Sequence, residues 1–159
     1  MRCLHLAIAL TALTACAEGV VSKQSDPAQE SPKPAPSPLV FVIGAPFGEG
    51  GQTTLTLSDS GAVHVMNLSG ETERSFTGDI GAERAGALLA DLDPTDWPAC
   101  ASSGPVVPGS VRVELRVGTP PGAREVSCWE QELRERPEQA QRLDQLLALV
   151  REVSGGAVF

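Results

Sequence analysis

Few residues of this 159-residue chain have the types and spacing that phosphate binding or metal binding requires. Residues 48–53 are rich in glycine, as in a phosphate-binding loop, but they contain no lysine, and a predicted strand follows where such a loop needs a helix. A group of aspartates suggests a calcium loop, but the turn glycine and the closing glutamate of such a loop are missing. We expect these carboxylates to end a helix and to be solvated: Asp91, Asp93 and Asp96.

His64 is the only histidine after residue 16, and it alternates with apolar residues in a predicted strand. We therefore expect it on one face of that strand. A single histidine beside paired cysteines cannot form a zinc site, and no Gly-x-Ser-x-Gly motif is present for a serine hydrolase. The sequence thus predicts a protein that is not an enzyme and holds no metal or cofactor. A small hydrolase that uses His64 is the weakest alternative.

The amino-terminal residues have the layout of an export signal. Arg2 supplies a basic start, residues 4–13 are apolar apart from His5 and Thr11, and small residues then lead to Cys16. An apolar stretch of this length is too short to span a membrane permanently.

Residues 13–16, Leu-Thr-Ala-Cys, resemble the lipobox of bacterial lipoproteins. The resemblance implies that Cys16 is linked to a diacylglyceryl group, that residues 1–15 are removed, and that the new amino terminus is acylated. Several acyl chains exceed what stable anchoring to a membrane requires. By the habit of that family, Ala17 after the cysteine favours the outer membrane. A plain secretory peptide, cleaved near Ala15 or Ala17, is the alternative.

Residues 16–38 have the composition of a tether rather than of a folded segment. Five prolines lie among Ser, Lys, Gln, Glu and Asp, which favours extended polyproline geometry and offers little apolar surface to bury. At its extended length, the proline-rich half would hold a domain roughly 30 Å from the membrane. A proline-rich ligand for a partner is the alternative, but Lys33 is its only nearby basic residue.

Two cysteines remain if Cys3 leaves with the signal and Cys16 carries lipid. Cys100 and Cys128 then form an even pair in an oxidising compartment, which favours a structural disulfide. The bond would fasten an irregular, proline-rich segment to the sheet. A redox-active pair is the alternative, but the Cys-x-x-Cys spacing is absent.

The charge of the chain excludes a nucleic-acid partner. It has 12 basic and 20 acidic side chains, for a formal net charge of −8, and such a surface repels phosphate backbones. Aromatic residues make up 4% of the chain and tyrosine is absent, so stacking on bases is also disfavoured.

Apolar periodicity predicts a single α+β domain over residues 39–159. Its antiparallel sheet contains an N-terminal strand and two hairpins, and two helices pack on one face of the sheet. The turn at residues 58–61 joins the first hairpin, and Pro137 in a first turn marks the second helix. The predicted strands cover residues 39–43, 53–58, 62–68, 72–77, 111–117 and 124–130, the helices cover 82–92 and 137–153, and residues 94–109 are irregular.

This order of elements resembles emfourin-like domains, small bacterial proteins named after an inhibitor of a thermolysin-like protease. The likeness covers residues 39–153 and rests on the loop at 44–51 and on the leucine pairs at 88–89 and 146–147. The domain also resembles uncharacterised lipoproteins of high-GC bacteria. The first resemblance implies a protease as partner.

We therefore predict a lipid-anchored, non-enzymatic domain of the cell envelope that contacts the membrane through its lipid and binds a protein partner. The glycine-rich loop is the predicted contact because it combines mobile glycines with an aromatic side chain, at Phe47, Gly48 and Glu49. Folding of Phe47 over the sheet edge is the competing interpretation. A structural envelope protein without a specific ligand is the alternative function.

Overall fold

The structure, a computed structural model, describes residues 38–45, 51–98, 100 and 109–158. Six strands form one antiparallel sheet in the order β4-β3-β2-β1-β5-β6. The predicted α+β class is confirmed. The strands are β1 Leu39–Gly44, β2 Gln52–Leu57, β3 Ala62–Ser69, β4 Thr72–Asp79, β5 Arg112–Val117 and β6 Arg124–Trp129; the helices are α1 Ala82–Asp91, α2 Glu130–Arg134 and α3 Pro137–Ser154.

The alternation of apolar residues gives the sheet a buried inner face and an outer face. Phe41 on β1 lies between Leu55 on β2 and Leu115 on β5, and all three are almost fully buried. They belong to one core cluster with side chains of all three helices, whereas no residue of the outer face belongs to it. The helices therefore cover one face of the sheet, as predicted. Their buried core residues are Ala85, Leu133, Leu143, Leu146, Leu147, Leu149 and Val150.

The first predicted hairpin is present, with β2 and β3 joined at residues 58–61. Ser58 N–H donates to the Ala62 carbonyl at 2.9 Å, and Gly61 adopts a φ of 96°, which is unfavourable for other residues. The close approach of Gly81 leaves no space for a side chain at Gly61.

Two elements differ from the prediction. The segment after Cys128 ends as a strand at Trp129, and Glu130–Arg134 forms the short helix α2. The Glu132 carboxylate accepts a hydrogen bond from the Trp129 N–H at 3.1 Å, which satisfies a donor at the start of this helix. Strand β4 continues to Asp79, two residues beyond its predicted end.

The predicted cysteine pair is joined in a disulfide, with a Cα–Cα distance of 5.2 Å. Cys128 lies on the inner face of β6 and is buried, while Cys100 follows the 3₁₀ turn at Pro94–Asp96. The bond fastens the segment after α1 to the sheet. Beside it, the Gln139 side-chain amide donates to the Asp96 carbonyl at 2.9 Å.

Candidate functional site at the loop end of the sheet

The predicted binding loop leaves the sheet where β1 ends at Gly44 and returns where β2 begins. We call this end of the sheet the loop end, and the opposite end, where β1 begins, the Pro38 end. Phe47, Gly48 and Glu49 lie outside the described residues, as does Cys16. Both stems of the loop are described, and the Ala45 N–H donates to the Gly51 carbonyl at 3.3 Å.

Two glycines allow the stems of this loop to pack closely. A Cβ atom at Gly44 would lie 2.5 Å from the Gly51 carbonyl oxygen and 2.8 Å from the Gln52 Cα. Gly51 has a φ of 72° and packs against the Leu68 carbonyl on β3. Because backbone occupies the space that side chains would need, the loop starts from a fixed position.

A cleft with a volume of about 350 Å³ lies beside the loop stems, between the end of the sheet and helices α2 and α3. This volume is within the range of small-ligand sites. In its wall the Asn67 side-chain amide donates to Thr53 Oγ1 at 2.9 Å, and Thr53 is buried. The lining is Ile43, Gly44, Ala45, Gly51, Thr53, Asn67, Val111, Glu130, Arg134, Leu147, Arg151 and Val158.

Charged groups in the helical wall of this cleft are paired within the protein. Arg134 Nη1 lies 2.5 Å from Asp144 Oδ1, and its Nε lies 3.2 Å from Glu130 Oε1. The hydrogen bond to Asp144 is the main cause that raises the pKa of Arg134 above its ordinary value, with burial acting in the opposite sense. This arginine therefore stays protonated and is committed to two carboxylates.

The outer face of the loop end carries an exposed apolar side chain. Leu68 is 43% exposed, and among the described residues it is the only large apolar residue that is exposed. It pairs across the sheet with Gln52, so it lies on the strand next to the Gly51 stem and about 10 Å from the Gly44 stem. A shallow depression of about 130 Å³ lies on the other side of Gln52, between Val42 and the Arg112 and Glu114 side chains. The loop thus emerges between a cleft on the inner face and an apolar side chain on the outer face.

The sequence patterns indicate no role for Leu68 or for the cleft. Leu68 shares the strand face of His64 and Met66, and this face alternates along β3 with the buried Val63 and Val65. An apolar residue at the end of a solvent-facing series was the available signal. The sequence contains no local signal for the cleft, because residues from six separate parts of the chain line it.

His64 lies on the exposed outer face, as predicted for a strand-face residue. Its Nε2 is 2.6 Å from Ser75 Oγ, the distance at which a base can activate a serine nucleophile. No described carboxylate holds the other ring nitrogen, which a triad would require. His64 and Ser75 therefore form the hydrogen-bonded pair that a hydrolase would use. Among the described residues, no carboxylate orients the histidine.

Two of the three aspartates considered for calcium have structural partners, and the third, Asp91, is the last residue of α1. Asp93 accepts hydrogen bonds from the N–H and hydroxyl of Thr95, and these bonds hold its pKa below the ordinary value. Asp96 pairs with Arg142 at 3.2 Å. These contacts tie the 3₁₀ turn to itself and to α3.

One group of potential metal ligands comes together among the described residues. Cys100, Cys128 and Glu132 have their ligand atoms within 4.8 Å of one another. Both sulfur atoms are in the disulfide and Glu132 caps α2, so these atoms already have bonding partners.

Comparison of the sequence with models of known protein families and with curated proteins finds no match to either. Within the described ranges, no helix combines the length and the apolar character needed to cross a membrane.

Proposed function

We propose that this protein is a lipid-anchored, non-enzymatic component of the cell envelope that binds a protein partner at the loop end of its sheet. The observation that carries the proposal is the position of exposed Leu68 beside the closely packed stems of the glycine-rich loop. Loops held by a rigid scaffold carry a large share of binding residues, and Leu68 adds an exposed apolar side chain beside this loop.

The direction of β1 supports this arrangement. The chain enters the sheet at Pro38, whose carbonyl accepts a hydrogen bond from the Gly118 N–H at 2.7 Å. The six residues of β1 then carry it about 20 Å to the loop end. A lipid on Cys16 would therefore attach through residues 16–38 to the end of the sheet that lies opposite the loop.

The disulfide supports a location outside the cytosol. Structural disulfides persist in oxidising compartments such as the periplasm and are rare in the bacterial cytosol. The Cys100–Cys128 bond is compatible with the export that the lipobox resemblance implies, and the outer membrane is the proposed site of anchoring.

A protease is the partner class that the emfourin resemblance implies. An inhibitory contact needs an exposed segment held in position, and the two stem glycines provide a fixed base for the loop. A thermolysin-like metalloprotease is accordingly the first partner to test, by inhibition of its peptidase activity with the intact protein.

Substitution of the predicted anchor distinguishes recognition from a structural role. Phe47→Ala should weaken partner binding by about thirtyfold, the equivalent of about 2 kcal/mol, while the melting temperature hardly changes. Leu68→Ser should also weaken binding, because it removes an exposed apolar contact. The matched control is Asp59→Ala, in the exposed turn at the Pro38 end, which should preserve both binding and stability. A large loss of melting temperature in Phe47→Ala with binding unchanged would contradict the proposal.

A further inference from the structure

Strand β4 forms an edge of the sheet that no described strand covers. Among the described strands it pairs only with β3. The Ile80 N–H donates to the Gly61 carbonyl on the β3 side at 2.9 Å, which fixes the direction of the backbone groups along the strand. Even-numbered residues of β4 bond to β3, and odd-numbered residues direct their N–H and C=O groups away from the sheet. The odd-numbered residues are Glu73, Ser75, Thr77 and Asp79.

The two faces of this edge differ in chemistry. On the outer face, Glu73 and Asp79 place carboxylates near the two ends of the strand, with two hydroxyl side chains between them. On the inner face, Phe76 is only half buried, and the Val153 side chain lies beside Gly78. Arg74 shares the inner face and is exposed. The edge therefore combines acidic groups on its outer face with a partly exposed aromatic side chain and one arginine on its inner face.

The same charges disfavour pairing of this edge with a second copy of the chain. If two β4 strands paired antiparallel over their full length, Glu73 of each copy would lie opposite Asp79 of the second copy. Like charges placed directly opposite on neighbouring strands destabilise the pair. Acidic side chains on an open edge thus act against self-association while leaving the backbone groups available.

We propose that the β4 edge binds an extended segment of a partner protein by strand addition, with alternating basic and apolar side chains in that segment. Basic residues would face Glu73 and Asp79, and apolar residues would lie beside Phe76. Main-chain hydrogen bonds supply affinity in this mode of recognition, and the alternating side chains supply specificity. Glu73 pairs across the sheet with Leu68, so this edge adjoins the loop end, but the proposal rests on the outward backbone groups of β4 and not on binding at the loop.

The test uses the full-length protein and an eight-residue peptide that alternates lysine and valine, matched in length to β4. Binding should protect the amides of Ser75 and Thr77 from hydrogen exchange, because their N–H groups point outward. A peptide that alternates glutamate and valine should bind at least tenfold more weakly, because it meets carboxylates. Equal binding of the two peptides, or no binding of the lysine peptide, would overturn the proposal.

A proline substitution tests the backbone contact directly. Thr77→Pro removes an outward N–H without removing a bond to β3, so it should lower affinity for the lysine peptide at least tenfold. Thr77→Val keeps the N–H and is the matched control, and circular dichroism verifies that both variants fold. If Thr77→Pro does not fold, the same peptide with N-methylated amides, which cannot pair with the edge, replaces it. If affinity is the same for Thr77→Pro and Thr77→Val, or for the N-methylated and unmodified peptides, the edge does not bind by strand addition. If sedimentation shows a dimer that Thr77→Pro abolishes, a second copy of the chain occupies the edge instead, which also contradicts the proposal.

Discussion

The disulfide gives the most quantitative prediction for this protein. Cys100 and Cys128 are separated by 28 residues in sequence, and closing a loop of that size stabilises a fold by about 3.6 kcal/mol in the chain-entropy treatment. For a domain of about 120 residues, losing that amount should lower the melting temperature by about 14 °C. Cys128 is buried, so alanine is the better replacement there, because a serine hydroxyl would add about 1 kcal/mol of desolvation.

The variant that carries Cys100→Ser and Cys128→Ala should remain folded. The segment before Cys100 keeps its contacts with α3, including the Gln139 bond to the Asp96 carbonyl and the Arg142–Asp96 pair. Urea unfolding, followed by tryptophan fluorescence and by circular dichroism, measures the loss of free energy, and reduction of the unsubstituted protein should reproduce it. Unchanged stability in the variant, or free thiols at both positions in the folded, oxidised protein, would refute the reasoning.

Three other outcomes are expected. Cys16→Ser should yield unprocessed or soluble protein, and normal membrane fractionation of this variant would contradict lipidation. Gly44→Ala should lower stability by about 1–3 kcal/mol, because its Cβ would lie 2.5 Å from a carbonyl oxygen, whereas Gly86→Ala has open space on α1 and should be neutral or stabilising. The bidentate Arg84–Glu152 pair holds the pKa of Glu152 below its ordinary value of 4.5, so its contribution should be present at neutral pH and be lost as the pH falls through that lowered pKa. Both side chains are about half exposed, so a double-mutant cycle should give a coupling energy between Arg84 and Glu152 of about 0.5 kcal/mol at pH 7 and about zero near pH 2. An equal coupling energy at both pH values would contradict this assignment.

Much of the fold could be predicted because local patterns and tertiary packing agree. The strict alternation over residues 111–117 corresponds to β5, whose apolar side chains face the core. Helix α3 begins with Pro137 in its first turn and ends before Gly155, which has a φ of 62°. Alternation along the strand and a proline and a glycine at the two helix ends are local features, so the sequence carries the signal.

The remaining features depend on contacts between distant parts of the chain. Helix α2 has five residues and one buried side chain, Leu133, so it is too short to show a helical period. Strand β4 has few apolar residues, and its pairing with β3 sets its length. Leu68 is exposed because no described helix covers the outer face of the sheet, and the neighbouring cleft depends on how α2 and α3 pack beside the sheet.

Site-specific crosslinking in intact cells tests the central claim most directly. A photoreactive residue at position 68, at the loop end, should give one major crosslinked protein, and the same residue at position 59, near the Pro38 end, should not. Phe47→Ala should abolish the product at position 68, and the purified partner should bind the unsubstituted protein more tightly than this variant. Equal crosslinking from positions 59 and 68, or a product at 68 that survives Phe47→Ala with full affinity, would contradict recognition at the loop end.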